Sequence, residues 1–152
     1  MHKRYRQLGF TLIEVMVAIS IAAMLVAVSV PAASKIYQSM SYRSAVREVR
    51  TMLESAKLRA LSGAPYASVL VNPRERWLRL DSDEKYYLPD ELRLEVVSAQ
   101  EYEINGNTGV LRFYSDGTST GGNIDVLRSD DSGVRLEVGW LLGEVKQHAI
   151  AP

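Results

Sequence analysis

Gly9-Phe10-Thr11-Leu12-Ile13-Glu14-Val15 opens the stretch on which the fold turns. A basic cluster, His2-Lys3-Arg4-Tyr5-Arg6, precedes it. Residues 15–34 follow, twenty positions without a charge, interrupted only by Ser20, Ser29 and Pro31 among apolar types. At a rise of about 1.5 Å per residue, roughly 20 helical residues cross the ~30 Å hydrocarbon core of a bilayer. The run therefore predicts a transmembrane helix. The apolar core of a secretory signal is shorter, about 7–15 residues, but Val30-Pro31-Ala32-Ala33-Ser34 imitates a small-residue cleavage site and keeps that alternative open. Lys35 is the only immediate charge after the run. The positive-inside bias then leaves the N-terminus cytoplasmic and sends residues from Lys35 onward across the membrane.

Two residues in this stretch need a reason. Glu14 is a carboxylate one turn into the apolar helix, which costs a few kcal/mol at a bilayer centre and less near an interface. Headgroup depth explains its tolerance but not its neighbours. Pro31 lacks an amide hydrogen and clashes with the carbonyl four residues back, so a kink or loosening is expected near Ala27.

The basic leader, Gly9, Phe10, Glu14 and the apolar length together resemble the class III signal of type IV prepilins and type II secretion pseudopilins. The resemblance implies that a prepilin peptidase cuts between Gly9 and Phe10 on the cytoplasmic side, and that Phe10 is then N-methylated. Glycine suits such a cut, having no side chain to obstruct a protease. Losing the leader also removes the charges that hold the helix on the cytoplasmic face. Glu14 lies four residues from the new amine on one helical face, in the first turns where the helix dipole favours an anion. Buried in a filament it needs a partner, and the terminal amine of an adjacent subunit is the candidate. Glu14 is thus read as an assembly residue. Helix breakers at the position of Pro31 are associated in this family with local unwinding during assembly.

The helix is expected to run on to about Leu61, some 75 Å in all. Tyr42, Val46, Val49, Leu53, Ala56 and Ala60 recur at spacings of four and three, one narrow apolar stripe among charged faces. Ser62-Gly63-Ala64-Pro65 supplies stop signals. Beyond it the pattern turns to β. Segments 67–71 and 76–80 flank a Pro-containing turn; 92–97, 110–114, 124–127 and 134–142 are further strand candidates. Ser115-Asp116-Gly117-Thr118 and Asp130-Asp131-Ser132-Gly133 are the clearest turns. The expected fold is α+β and pilin-like, a long N-terminal transmembrane helix packed against a C-terminal antiparallel sheet or sandwich head. The divisions are residues 1–9 as cleaved leader, 10–34 as transmembrane and filament-core helix, 35–62 as its periplasmic half and 63–152 as a β-rich periplasmic head.

Composition narrows function. The chain has 152 residues, 47% hydrophobic and 24% charged, with zero formal net charge and no cysteine. Disulfides, thiolate metal sites and a cysteine nucleophile are excluded. Without the first nine residues the balance becomes 15 basic against 18 acidic side chains, so nucleic acid is not an expected partner. His2 and His148 are the only histidines, no nucleophile-elbow motif exists, and no enzyme activity, cofactor or metal is expected. Asp81-Ser82-Asp83-Glu84 lacks the glycine and final glutamate of a calcium loop, and reads as a solvated acidic turn.

Segment 113–122 followed by Ile124, with 134–138 and Gly143-Glu144-Val145, resembles the GspH/FimT group. That favours a minor pseudopilin of the type II secretion pseudopilus, near its tip, in a filament that helps export folded proteins across the outer membrane. The implied partners are other major and minor pseudopilins, the prepilin peptidase, an inner-membrane assembly platform and membrane lipid. The implied location is the bacterial inner membrane, single-pass. The alternative is a FimT-like minor pilin of a type IV pilus that binds DNA in uptake; Glu144 after Gly143, where a Gly-Arg motif is expected, counts against it. Charge placement adds an expectation. Residues 35–59 hold six basic and two acidic side chains, and residues 81–103 two basic and eight acidic. The basic helix of one subunit is expected to face acidic strands of a neighbour.

Overall fold

The computed structural model describes residues 9–98 and 107–152, without the side chains of 28–35. Its first element is α1 (Leu12–Leu61), 50 residues long. Thr11 starts it: the Glu14 amide donates to Thr11 Oγ1 at 3.3 Å, and the Val15 amide to the Thr11 carbonyl at 3.2 Å. A threonine with a glutamate three residues on has the spacing of a capping box, whose side chains satisfy amides the first turn leaves open. At the far end the Ser62 amide donates to Leu58 O at 2.9 Å. Gly63 then takes φ 113°, a conformation only glycine adopts without strain.

The chain divides into two compact units, Met1–Ser39 and Met40–Pro152. In the first, the large apolar side chains of α1 are uncovered; Leu12 is 80% and Met24 75% exposed. The expectation of a transmembrane helix is overturned here. Among the described residues no helix is long and apolar enough to cross a membrane. The charge-free stretch whose side chains are described, 15–27, holds thirteen residues, about 20 Å of helix against about 30 Å of hydrocarbon. The single-pass inner-membrane location, with its cytoplasmic N-terminus and periplasmic head, and lipid as a partner lose their support with it. The kink expected at Pro31 falls in 28–35, outside the described residues.

The second unit is an α+β head. Its strands are β1 (Tyr66–Asn72), β2 (Trp77–Leu80), β3 (Tyr86–Tyr87), β4 (Arg93–Val97), β5 (Gly109–Tyr114), β6 (Gly122–Leu127), β7 (Gly133–Val138) and β8 (Val145–Ile150). They form two open four-stranded sheets, in the orders β3-β2-β1-β5 and β4-β6-β7-β8, with antiparallel pairing throughout. The predicted helical stripe is the core face: Tyr42, Val46, Val49, Leu53, Ala56 and Ala60 are all buried. They share one core with Val69, Leu111 and Phe113 of the first sheet and Ile124, Val126 and Leu136 of the second. Period-two alternation sends Ala67, Val69 and Val71 of β1 inward together. Burying Leu53 or Phe113 completely contributes about 1.5–3 kcal/mol each.

Both predicted Asp turns form. Asp116 Oδ1 accepts from the Thr118 amide at 2.9 Å and its hydroxyl at 2.7 Å, and Asp130 does the same for Ser132. These hydrogen bonds hold both carboxyls below the usual range. The single strand expected over 134–142 is instead a hairpin. Gly143, at φ 54°, donates its amide to Gly139 O at 2.9 Å and returns the chain as β8. Trp140, Leu141 and Leu142 stand exposed at the tip.

The acidic turn is engaged from within the chain. Arg59, in the last turn of α1, reaches Asp81 at 3.3 Å and Asp83 at 2.7 Å. The hydrogen bond from Arg59 is the main reason the Asp83 carboxyl sits below its ordinary range. Asp81 Oδ1 also accepts from the Ser68 amide at 2.7 Å. A cation-binding reading of this turn has an arginine in the cation's place.

Candidate assembly site

The residues singled out in the sequence lie at the start of α1. Gly9 stands in open space, with nothing within 4 Å of where a Cβ would lie. Phe10 is 82% exposed, and Glu14 is exposed as well. Helical periodicity puts Phe10, Glu14, Ala18 and Ala22 in register four residues apart, with Val15 and Ile19 beside them. These six line a shallow surface groove of about 580 Å³. Glu14 is its one ionisable side chain, and no cation is paired with it among the described residues.

That arrangement has a definite chemistry. The groove offers an apolar wall and one hydrogen-bond-accepting anion, and suits a partner presenting apolar side chains with one positive group. Thr11 caps the helix by accepting the Glu14 amide at Oγ1, and the charge of Glu14 sits in the first turn, where the helix dipole favours it. The Thr-x-x-Glu spacing is a sequence signal for the cap that Thr11 provides, which the reading of this stretch for assembly passed over. Ser20 turns inward to the backbone, its hydroxyl donating to Met16 O at 2.8 Å, so it breaks the apolar run less than its polarity suggests.

Among the described residues no group of three or more His, Asp or Glu side chains could hold a metal ion. His148 lies on exposed β8, 3.2 Å from Glu137, remote in character from a buried catalytic histidine.

Known proteins give this site its context. Residues 4–30 match the family of the prokaryotic N-terminal methylation motif. Over 142 residues, 93% of this chain and 83% of the relative, the sequence is 29% identical to type II secretion system protein H of Xanthomonas campestris pv. campestris. The fold is similar to that of the minor pseudopilin EpsH from the type 2 secretion system of Vibrio cholerae. That match has a TM-score of 0.55 at 13% identity, over 74% of this chain and 98% of that one. It is equally similar to the type IV minor pilin FimU of Pseudomonas aeruginosa, with a TM-score of 0.56 at 16% identity, over 74% and 95%. The motif at its start, the match along its length and the shared α+β head make this chain similar to the H-type minor pseudopilins of type II secretion and to the minor pilins of type IV pili.

Proposed function

We propose that residues 1–9 are a leader removed by a prepilin peptidase between Gly9 and Phe10, and that Phe10 is N-methylated. Glu14 then accepts the terminal amine of an adjacent subunit as subunits stack into a pseudopilus. Residues 10–34 form the filament core, 35–62 the remainder of the helix and 63–152 the head. The subunit sits near the tip of a filament, built with an assembly platform, that helps export folded proteins.

One observation carries this reading. Glu14 is the only ionisable group in an otherwise apolar groove shared with Phe10, and it has no cation among the described residues. Packing helix against helix would desolvate that carboxylate, at a cost of several kcal/mol without a partner. A neighbour's terminal amine removes the cost and sets the stagger between helices.

The type IV pilus reading shares the fold, so the fold cannot separate the two. Its DNA-binding form needs clustered cations near the C-terminus. Lys146 is tied to Glu144 at 3.0 Å and His148 faces Glu137, so that region offers little to a phosphate backbone.

The test is co-expression of the full chain with a prepilin peptidase and the secretion assembly. Mass spectrometry is expected to find a chain beginning at methylated Phe10, and Gly9→Val to leave the leader attached. Glu14→Val should be processed yet absent from sheared filaments. A retained leader on the unaltered chain, or normal incorporation of Glu14→Val, overturns the proposal.

A further inference from the structure

The head-domain half of α1 carries a second groove, different in kind. Arg43, Arg47 and Arg50 fall at i, i+4 and i+7, on one face of the helix. With Val46, Val134 and Gln147 they line a groove of about 250 Å³ between α1 and the β7–β8 hairpin. The structure shortens the list of basic residues available to a partner. Arg59 is taken by Asp81 and Asp83, Lys57 by the Leu142 carbonyl at 2.8 Å, and Arg50 by Glu54 at 2.8 Å. Arg43 and Arg47 make no hydrogen bond or ion pair among the described residues. Two like charges one turn apart repel, and no ion pair among the described residues relieves them.

The wall facing these arginines is also incomplete. Among the described residues β8 pairs only with β7 and ends its sheet, and its four inner positions are exposed. A free strand edge offers backbone donors and acceptors to an added strand. The spacings agree. Arg43 and Arg47 are about 6 Å apart along the helix axis, and alternate side chains of a strand are about 6.6 Å apart. Carboxylates at alternate positions of an extended chain lying along β8 would therefore meet both guanidiniums, with Val46 and Val134 as an apolar floor.

We propose that this groove docks an extended, carboxylate-rich segment of a neighbouring pilin-like subunit, which adds to the β8 edge and pairs its acidic side chains with Arg43 and Arg47. The proposal rests on the assembly reading above and names the surface through which the head takes part. A nucleic acid fits less well. Glu54 on α1 and Glu137 and Glu144 on the hairpin carry negative charge close to the same elements, and a continuous phosphate backbone would meet them as well. A peptide can place its charges selectively.

The experiment uses the full chain in cells that contain the assembly, with the photo-crosslinker benzoylphenylalanine at Gln147. Crosslinked peptides are identified by mass spectrometry, while leader processing and incorporation into sheared filaments are scored in parallel. The expected product joins Gln147 to an Asp- or Glu-rich segment of a pilin-like subunit. The double variant Arg43→Glu/Arg47→Glu should lower its yield at least tenfold, and Lys at both positions should keep most of it. Changing the mapped carboxylates to Lys should restore the yield in the Glu variant. Circular dichroism checks that the variants keep their fold. Attachment to nucleic acid or to an uncharged segment, or a yield indifferent to charge reversal, overturns the docking proposal. A processed and incorporated chain with no crosslink overturns docking alone; a chain never incorporated overturns the assembly reading as well.

Discussion

The two halves of α1 are built from one continuous helix and treat their apolar residues in opposite ways. Over 12–27 nearly every side chain is apolar, yet all are exposed. Over 42–60 seven of nineteen residues are charged, yet a stripe of six is buried to 7% or less. Apolar content does not decide burial; the presence of something to bury against does. The second half has two sheets folded over its stripe. The first has no cover among the described residues, and so large an uncovered apolar surface is the kind that marks interaction sites.

Breaking each half should have different consequences. The largest effect is expected from Phe113→Ala in the head, where a fully buried ring is replaced by a cavity at a cost of about 3–5 kcal/mol. Chemical denaturation of the full chain followed by circular dichroism would show the lowered midpoint. Ile19→Ala, at a position 65% exposed, should leave that midpoint unchanged and reduce filament incorporation instead. Equal destabilisation by the two variants would erase the contrast.

A smaller effect is expected at the helix start. Thr11→Ala removes the side-chain oxygen that accepts the Glu14 amide, a loss of about 0.5–2 kcal/mol for a cap. It should loosen only the first turn, seen as backbone chemical-shift changes confined to residues near 11–15. If Glu14→Gln, which removes the charge but keeps an oxygen acceptor, incorporates into filaments as well as the unaltered chain, capping rather than charge is the important role of that residue.

The smallest effect is a pH dependence. Arg59 lowers the Asp83 carboxyl pKa from its ordinary value of 3.8. A lowered folded-state value contributes stability above 3.8, lost as pH falls through the folded value. Asp83→Asn should therefore lower the denaturation midpoint slightly at pH 7, and the gap from the unaltered chain should close at pH 2–3. The pair is solvent-exposed, so added salt should narrow the gap as well. A gap that persists at low pH would mean the tie is not ionic.

How far the sequence carried the fold depends on which residues spoke through pattern. The stripe from Tyr42 to Ala60 was legible because one helical face is buried along its whole length, and period shows burial. Strands β1, β2, β4, β5 and β6 were legible because at least one of their faces reaches the core. β8 was not, since four of its six residues face outward and Val-Lys-Gln-His-Ala-Ile has no alternation. Trp140-Leu141-Leu142 read as a strand through hydrophobicity, although Gly139 and Gly143 turn the chain there. The transmembrane reading rested on the uncharged length of 15–34 and its flanking charges, and is set aside by the described residues. At the candidate site, spacing gave Phe10 and Glu14 a common face before any coordinates. The pairing of Asp81 and Asp83 with Arg59 depends on a contact across more than twenty residues, which no local pattern encodes.

One hydroxyl has a wider reach than its size suggests. Ser119 donates its hydroxyl to Gly139 O at 3.0 Å and accepts the Gly121 amide at 3.0 Å, while its own amide donates to Trp140 O at 2.9 Å. The loop after β5 and the apolar hairpin tip are thus latched, and neither can open without the other. Their amide hydrogens should exchange with solvent as one cooperative unit, so a displacement pressed onto Trp140 from outside would be felt at Thr120 and, through its bonds to Arg112, on β5 at the edge of the other sheet.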